Sequence, residues 1–276
     1  MRLLVAALVC ASGAAIDLRF QPFCDEAYYG GARTVEKAIR YLGVDVDYPC
    51  PTANGTMTAL IIASIYGHKE VLRVLLSHGA DVNAVSSQGF HALYVAARNS
   101  HGEIVRLLLE NSEVNPFDAT FNPGGFTPLH AAAQFNATIA LDALLEDGRL
   151  AINGLSDQGC TPLFYAAEYG ALQAVKALLR HGADTSIAWN GNTPADIASR
   201  NGHHEVVALL EGRVPASEAF CNAAFDGNLE AVKQSIRDGA DIDYQCPTSI
   251  GTAPALFFAS FFSRRKTGTR KSCGFY

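Results

Sequence analysis

The chain lacks the short motifs that most often mark catalytic or phosphate-binding sites. Its 276 residues contain no glycine-rich phosphate loop, no G-x-S-x-G turn and no H-E-x-x-H pair. They also lack the C-x-x-C spacing that is typical of structural zinc sites. The sequence therefore predicts a protein that is not an enzyme and that holds neither a metal nor a cofactor.

An extended basic region is missing as well. The net charge is −6, and residues 263–276 contain five basic residues and no acidic one, so the preceding 262 residues carry −11. Nucleic-acid binding needs a basic face, so we expect no nucleic-acid partner. We predict that residues 263–276 form a basic, disordered tail. Use of this tail in nuclear import or in binding an acidic surface is the weaker alternative.

The apolar run at the start of the chain is too short to span a bilayer. Arg2 precedes the apolar residues 3–11, and the small residues 12–14 follow. This order is typical of a secretory signal peptide, so we predict one over residues 1–15 and no membrane span in the mature chain. The alternatives are an extra helix that packs on the first repeat and a wrongly assigned start codon. A signal peptide would place the protein in the secretory pathway, and without one we expect it in the cytoplasm.

The cysteines are too widely spaced for a dense disulfide framework. Without Cys10, six remain, which allows pairing, but free buried thiols are an equally good interpretation. Cys50 and Cys246 lie beside proline in equivalent loops, either as exposed thiols or as turn residues inherited by duplication. Asn54 and Asn136 each begin an N-x-T triplet, which would accept a glycan only in the secretory pathway.

One pattern recurs along most of the chain. Its clearest first half is TPLHAAA at residues 127–133, and related segments begin at positions 58, 91, 161 and 193. The steps of 33, 36, 34 and 32 residues indicate a repeat array. The second half is clearest in GHKEVLRVLLSHGADVN at residues 67–83.

These segments closely resemble the ankyrin repeat, over about residues 23–262. The resemblance implies an all-α solenoid of stacked helix-turn-helix units with loop or hairpin fingers. We predict about seven units within residues 16–262, of which the first and last are degenerate. The resemblance also implies a hydrogen bond between His130 and Thr127 around a helix start, and a protein partner bound in a concave groove.

The residues of one unit predict its local structure. Thr127 can cap the first helix, and Pro128 suits the first helical position because its missing N–H costs little there. The second helix has an apolar stripe, formed by Val71, Val74, Leu75 and Leu76. Gly79 can then end that helix in a left-handed conformation. Such a short helix pair cannot bury its apolar faces alone, so the units must stack.

Two internal alignments describe the ends of the array. At a shift of 36 residues, Gly31 of the first unit falls on Gly67 of the second. At a shift of 196 residues, positions 47–56 and 243–252 are identical at seven of ten residues. Upstream, residues 23–24 match residues 220–221 at a shift of 197, so a gap of one residue connects the two matches. The chain therefore contains a duplication larger than one repeat, with a second block from about residue 217.

The expected partner surface lies on the exposed side of the first helices. A glycine, or Asn136 in the fourth unit, separates the two helices of a unit, and the residue before it is aromatic at Tyr66, Phe135 and Tyr169. Large aromatic side chains are good interface anchors, although packing against the next unit is the alternative for each. The remaining candidates flank these positions or lie on loops: Arg98, Gln134, Glu168, Trp189, Phe117 and Phe121.

The sequence thus favours a monomeric, non-enzymatic scaffold that binds a protein. The rival hypothesis is the truncated ankyrin segment of a larger multidomain enzyme or channel. Residues 255–262 look like the first helix of an eighth unit, and residues 263–276 supply no second helix to cover it. This feature motivates the rival hypothesis.

Overall fold

A computed structural model describes most of the chain. The described residues are 20–53, 55–116, 125–226, 228–240, 245–248 and 251–254. The predicted signal peptide, the start of an eighth unit, the basic tail, Asn54, Phe117 and Phe121 lie outside them. Contacts divide the chain into an N-terminal body, residues 1–194, and a C-terminal body, residues 195–276.

The N-terminal body is built from helix pairs, one pair in each repeat. The pairs are α1 (Gln21–Tyr29) and α2 (Ala32–Leu42), α3 (Ala59–Tyr66) and α4 (Lys69–Ser77), α5 (Ala92–Arg98) and α6 (Gly102–Leu109), α7 (Pro128–Gln134) and α8 (Thr138–Asp147), and α9 (Pro162–Glu168) and α10 (Leu172–Arg180). A short antiparallel hairpin, β1 (Cys50–Thr52) and β2 (Gly55–Met57), precedes α3. Within this body, consecutive first helices contact each other from α1 to α9, as a solenoid requires.

The C-terminal body continues the same pattern. Its elements are α11 (Pro194–Arg200), which begins at the boundary, α12 (His204–Leu210), α13 (Ala216–Asp226), α14 (Leu229–Arg237), β3 (Gln245–Thr248) and β4 (Gly251–Pro254). The strands β3 and β4 form a second antiparallel hairpin. The predicted fold class, an all-α solenoid with small hairpins, is confirmed.

The predicted helix start at Thr127 is confirmed: Thr127 precedes α7 in extended backbone and forms a capping box with His130, and Pro128 is the first helical residue. Thr161 acts in the same way. Thr161 lies just before α9 in extended backbone, and its hydroxyl accepts the Phe164 N–H at 3.1 Å. This bond satisfies one of the amide groups that a helix leaves unpaired at its N-terminus. At α5 the capping residue is His91, whose Nδ1 accepts the Tyr94 N–H at 3.3 Å. Several side chains can therefore start the first helix of a repeat.

Burial differs between the two helices of a repeat. In α9, every residue from Pro162 to Ala167 is buried, because α9 lies between α7 and α10. The second helix buries one face only: in α4 the buried residues are Val71, Leu72 and Leu75. Of the predicted stripe, Val74 and Leu76 are only half-buried. They flank the contact face, whose centre includes the unpredicted Leu72.

Hydrogen bonds between repeats follow the same spacing as the sequence pattern. Acceptors in three of the loops receive a backbone N–H about one repeat further on: Asp47 from Asp81 at 3.1 Å, Asn83 from Asn115 at 2.8 Å, and Asn153 from Asp184 at 3.0 Å. These bonds pair loop amides that no strand or helix satisfies. They help to fix the register between the repeats that they join.

Two disulfide bonds hold equivalent positions in the two bodies. Cys24 of α1 is bonded to Cys50 of β1, and Cys221 of α13 is bonded to Cys246 of β3, with Cα separations of 5.5 and 5.6 Å. Each bond joins the first helix of a repeat to the hairpin that follows that repeat. Cys50 and Cys246 are fully buried, so their interpretation as exposed thiols is wrong. Cys160 is buried and is not disulfide-bonded.

The duplication extends to strand register. Cys50 lies opposite Met57 in the first hairpin, and Cys246 lies opposite Ala253 in the second, at the predicted shift of 196 residues. The gap between the matches at shifts of 197 and 196 residues falls in the second helix of the disulfide-bonded repeat, which is α2 in the first block and α14 in the second. There α2 spans 11 residues and α14 spans 9.

The same longer helix corrects the predicted register of the first repeat. The left-handed residue after α1 is Gly30, with φ 87°, and its counterpart after α3 is Gly67, with φ 79°. Their amides donate to the carbonyls of Glu26 and Ala63 respectively, so the two turns are equivalent. The alignment of Gly31 with Gly67 was therefore wrong by one residue. Because α2 has 11 residues and α4 has 9, the shift returns to 36 residues at the end of the second helix, where Gly43 aligns with Gly79.

We expect the disulfide of the first repeat to stabilise that repeat locally. Replacing both Cys24 and Cys50 by alanine frees a loop of sequence separation 26, which corresponds to about 3 kcal/mol of lost stabilisation. Because repeats couple mainly to their neighbours, hydrogen exchange should accelerate in α1 and β1 and stay unchanged in α9 and α10. Mass spectrometry of exchanging peptides measures both.

Reductant provides the control for this prediction. It should reproduce the effect in the wild-type chain and should leave the first repeat of the double variant unaffected. Equal exchange rates in α1 before and after the substitution would contradict the assigned role.

Candidate protein-interaction surface

The ends of consecutive first helices carry a row of large exposed side chains. We call this row the rim, and its members are Tyr28, Tyr29, Tyr66, Arg98, Phe135 and Tyr169. Each member lies on the last turn of a first helix or directly after it. The exposed fractions of the aromatic members run from 45% to 65%, whereas residues 92–97 of α5, 128–133 of α7 and 162–167 of α9 are buried.

Contacts within the rim cross from one repeat to the next. The rings of Tyr28 and Tyr66 lie 4.3 Å apart between their centres. The Arg98 guanidinium lies over the Phe135 ring, 5.0 Å from its centre, which is a cation–π geometry. These contacts align the helix ends side by side. The contacts therefore join the rim of the first repeat to that of the second, and the rim of the third repeat to that of the fourth.

The other predicted members are less exposed. Gln134 and Glu168, each beside a rim aromatic, are half-buried. Trp189 is half-buried too, and its ring packs on Phe164 with centres 5.7 Å apart. Phe117 and Phe121 lie outside the described residues. From the predicted set, Tyr66, Arg98, Phe135 and Tyr169 thus lie exposed at the ends of first helices, and Arg98 contacts Phe135.

Sequence reasoning missed the two tyrosines of the first repeat. Tyr29 directly precedes Gly30, just as Tyr66 precedes Gly67. The rule that selected Tyr66 would have selected Tyr29 had the first repeat been aligned on Gly30. Tyr28 has no such signal, because its place on the rim depends on its contact with Tyr66.

The rim combines apolar area with polar groups. Partial burial, followed by a hydrogen bond with Tyr28, raises the pKa of Tyr66 above its usual value. Its hydroxyl is therefore protonated at neutral pH and can donate or accept a hydrogen bond. Arg98 adds the only charged side chain of this row. The arrangement suits contacts in which aromatic faces pack and hydroxyl groups bond to a polar backbone.

His130, the residue that most suggested chemistry, has a structural role. Its Nδ1 accepts the Thr127 N–H at 3.2 Å, so its Nε2 carries the proton and donates to the carbonyls of Gly154 and Cys160, at 3.1 and 3.2 Å. Burial lowers the pKa of His130 to about 4. A neutral, fully bonded imidazole holds a helix start against the next repeat, as the resemblance implied.

Other groups with catalytic potential are similarly unsuited to it. Burial raises the pKa of the Cys160 thiol, which keeps it protonated. Throughout the described ranges, no cluster of three or more histidine, cysteine, aspartate or glutamate side chains could hold a metal ion. The helices of these ranges are all too short or too polar to cross a membrane.

The family profile for ankyrin repeats matches residues 25–118, 115–188 and 150–215, which together cover more than half of the chain. The chain is an ankyrin-repeat protein. Ankyrin repeats generally serve as modules for interaction between proteins. This general property agrees with the exposed rim on a buried framework.

Curated relatives share the repeats and are longer than the matched region. An ankyrin repeat protein of fowlpox virus is 32% identical over 72% of this chain and 52% of its own length. The chicken nuclear factor NF-kappa-B p105 subunit is 30% identical over 71% of this chain and 20% of its own length. Human Rabankyrin-5 is 30% identical over 42% of this chain and 11% of its own length. The matches therefore span about half of the viral relative and a fifth or less of the other two.

We expect protonation of His130 to destabilise the array. Because its pKa is lowered in the folded state, the neutral form stabilises the fold fully above the unfolded value of 6.5, and this contribution is lost as the pH falls towards 4. The loss corresponds to about 3 kcal/mol at most. An NMR titration should place the His130 midpoint well below 6.5, and H130Q should reduce the pH dependence of unfolding between pH 7 and 4.

A His130 midpoint near 6.5 would contradict this assignment. The resonance is identified by its absence from the H130Q spectrum.

Proposed function

We propose that this ankyrin-repeat protein is a non-enzymatic scaffold that binds a protein partner through the rim and the groove beside it. The observation that carries the proposal is the rim itself. Exposed apolar side chains that group into a patch mark interaction sites, and here aromatic residues recur at equivalent helix ends in four of the first five repeats.

The framework supports such a role because it holds the rim in a defined geometry. Four of the helices that carry the rim, α3, α5, α7 and α9, are buried almost to their last residue. The carbonyls of Tyr28 and Ile65 accept bonds from His68 and His101 of the next repeat, at 2.7 and 2.9 Å. A rigid surface loses little conformational entropy when it binds. Aromatic side chains add large contact areas with few rotatable bonds.

The rival hypothesis, an ankyrin segment of a larger multidomain enzyme or channel, draws support from the length of the relatives. The chain matches 20% of the chicken subunit and 11% of Rabankyrin-5, so ankyrin repeats are a part of each of those proteins. An in-frame continuation of the gene into another domain would favour the rival. Under both hypotheses the rim is the partner surface.

We expect the double substitution Tyr66→Ala and Tyr169→Ala to weaken partner binding while helical content stays unchanged. Both side chains are about half exposed, at 45% and 56%, so their removal leaves no large cavity. Loss of two interface anchors should reduce affinity at least about tenfold. Partners captured from the native source are identified by mass spectrometry, and their affinity for the purified variants is then measured by calorimetry.

Tyr41→Ala is the matched control. Tyr41 lies on α2, away from the rim, and is 79% exposed, so the same change there removes the same group from a different surface. Equal affinity of the partner for the wild type, Y41A and Y66A/Y169A would contradict the proposal that the partner binds at the rim. Circular dichroism of all three proteins establishes that each is folded.

A further inference from the structure

The disulfide bonds indicate the chemical environment in which this chain folds. Both bonds are buried, both join a first helix to the following hairpin, and they occupy positions related by duplication. Disulfides form and persist in secreted proteins and in the compartments through which those proteins pass. Asparagine in an N-x-T triplet is a glycan acceptor in that same pathway. The triplets of this chain therefore become candidate modification sites.

Asn136 begins the triplet that the structure describes completely. It lies in the turn between α7 and α8, its side chain is exposed, and its φ is 56°. The equivalent turns of the second and fifth repeats use Gly67 and Gly170 in the same left-handed conformation. Asparagine is among the few other residues that adopt this conformation readily. Asn136 thus fits the turn and also presents an amide at the surface.

The hydrogen bond of Asn136 leaves the required atom available. Its Oδ1 accepts the Ala174 N–H of the next repeat at 2.9 Å. A glycan is attached through Nδ2, so a modified Asn136 can keep this bond to α10. The repeat contact and the modification are compatible because they use different atoms of one amide.

We propose that Asn136 carries an N-linked glycan. In the transfer, Nδ2 forms a bond to the anomeric carbon of a lipid-linked oligosaccharide diphosphate and loses one proton. The bond from that carbon to the diphosphate oxygen breaks, and the lipid diphosphate leaves with the electron pair. The glycan would stand next to Phe135, at the edge of the rim, and its presence does not depend on the proposed binding function.

Expression of the full chain, with its own N-terminus, in animal cells tests the proposal. N54Q is introduced first, so that Asn136 begins the single remaining triplet. Peptide N-glycosidase should then increase the gel mobility of the secreted protein by the equivalent of one oligosaccharide. The enzyme also converts the modified asparagine to aspartate, which peptide mass spectrometry should locate at residue 136.

Substitutions within the triplet supply matched controls. T138A removes the acceptor signal and T138S keeps it, so only T138A should abolish the mobility shift. N136G removes the amide and retains the left-handed turn that Gly67 and Gly170 adopt, so it should be secreted, folded and unglycosylated.

Two results would overturn the proposal. One is an unmodified Asn136 peptide from secreted protein in which Cys24 and Cys50 are bonded. The other is retention of the chain in the cytoplasm with a free Cys24 thiol. Either result leaves the rim untouched as a binding surface, which the Tyr66 and Tyr169 variants test separately.

Discussion

The contact between one repeat and the next is the constraint on which this structure depends. A helix of seven residues such as α9 is too short to be stable alone in water. Its stability comes from burial between α7 and α10, and from hydrogen bonds that cross the boundary between repeats. The last carbonyls of α3 show this clearly, because Ile65 accepts bonds from both Asn99 and His101 of the following repeat. Groups that a helix end leaves unpaired are thus satisfied by the next unit.

The same stacking creates the surface that we assign to partner binding. Because neighbouring repeats cover α3, α5, α7 and α9 up to the last turn, the exposed residues of these helices lie at their ends. Those ends lie side by side, and the contacts of Tyr28 with Tyr66 and of Arg98 with Phe135 join them. Under the proposed function, interaction specificity can therefore change through single residues at the rim. The buried positions of the framework need not change with them.

The disulfide-bonded repeats stand apart from this scheme. Their covalent bond ties a first helix to the hairpin behind it, which is a constraint that needs no neighbouring repeat. The two hairpins have the same register, and the bonds have the same partners within each block. Duplication thus copied a complete structural unit, which consists of a helix, a hairpin and the disulfide bond between them.

The sequence by itself determined the fold class and the local structure of each repeat, because helix starts and ends depend on residues only a few positions apart. Thr161 caps its own helix, and Gly79 has the predicted left-handed backbone. Tertiary structure decided the cysteine pairing, the true register at Gly30 and the burial of Trp189 against Phe164. Pairing and burial depend on contacts between residues about 25 or more positions apart, and the register at Gly30 depends on the length of α2. A periodic pattern specifies that repeats stack, and only the stacked structure shows which side chains the contact covers and which it leaves exposed.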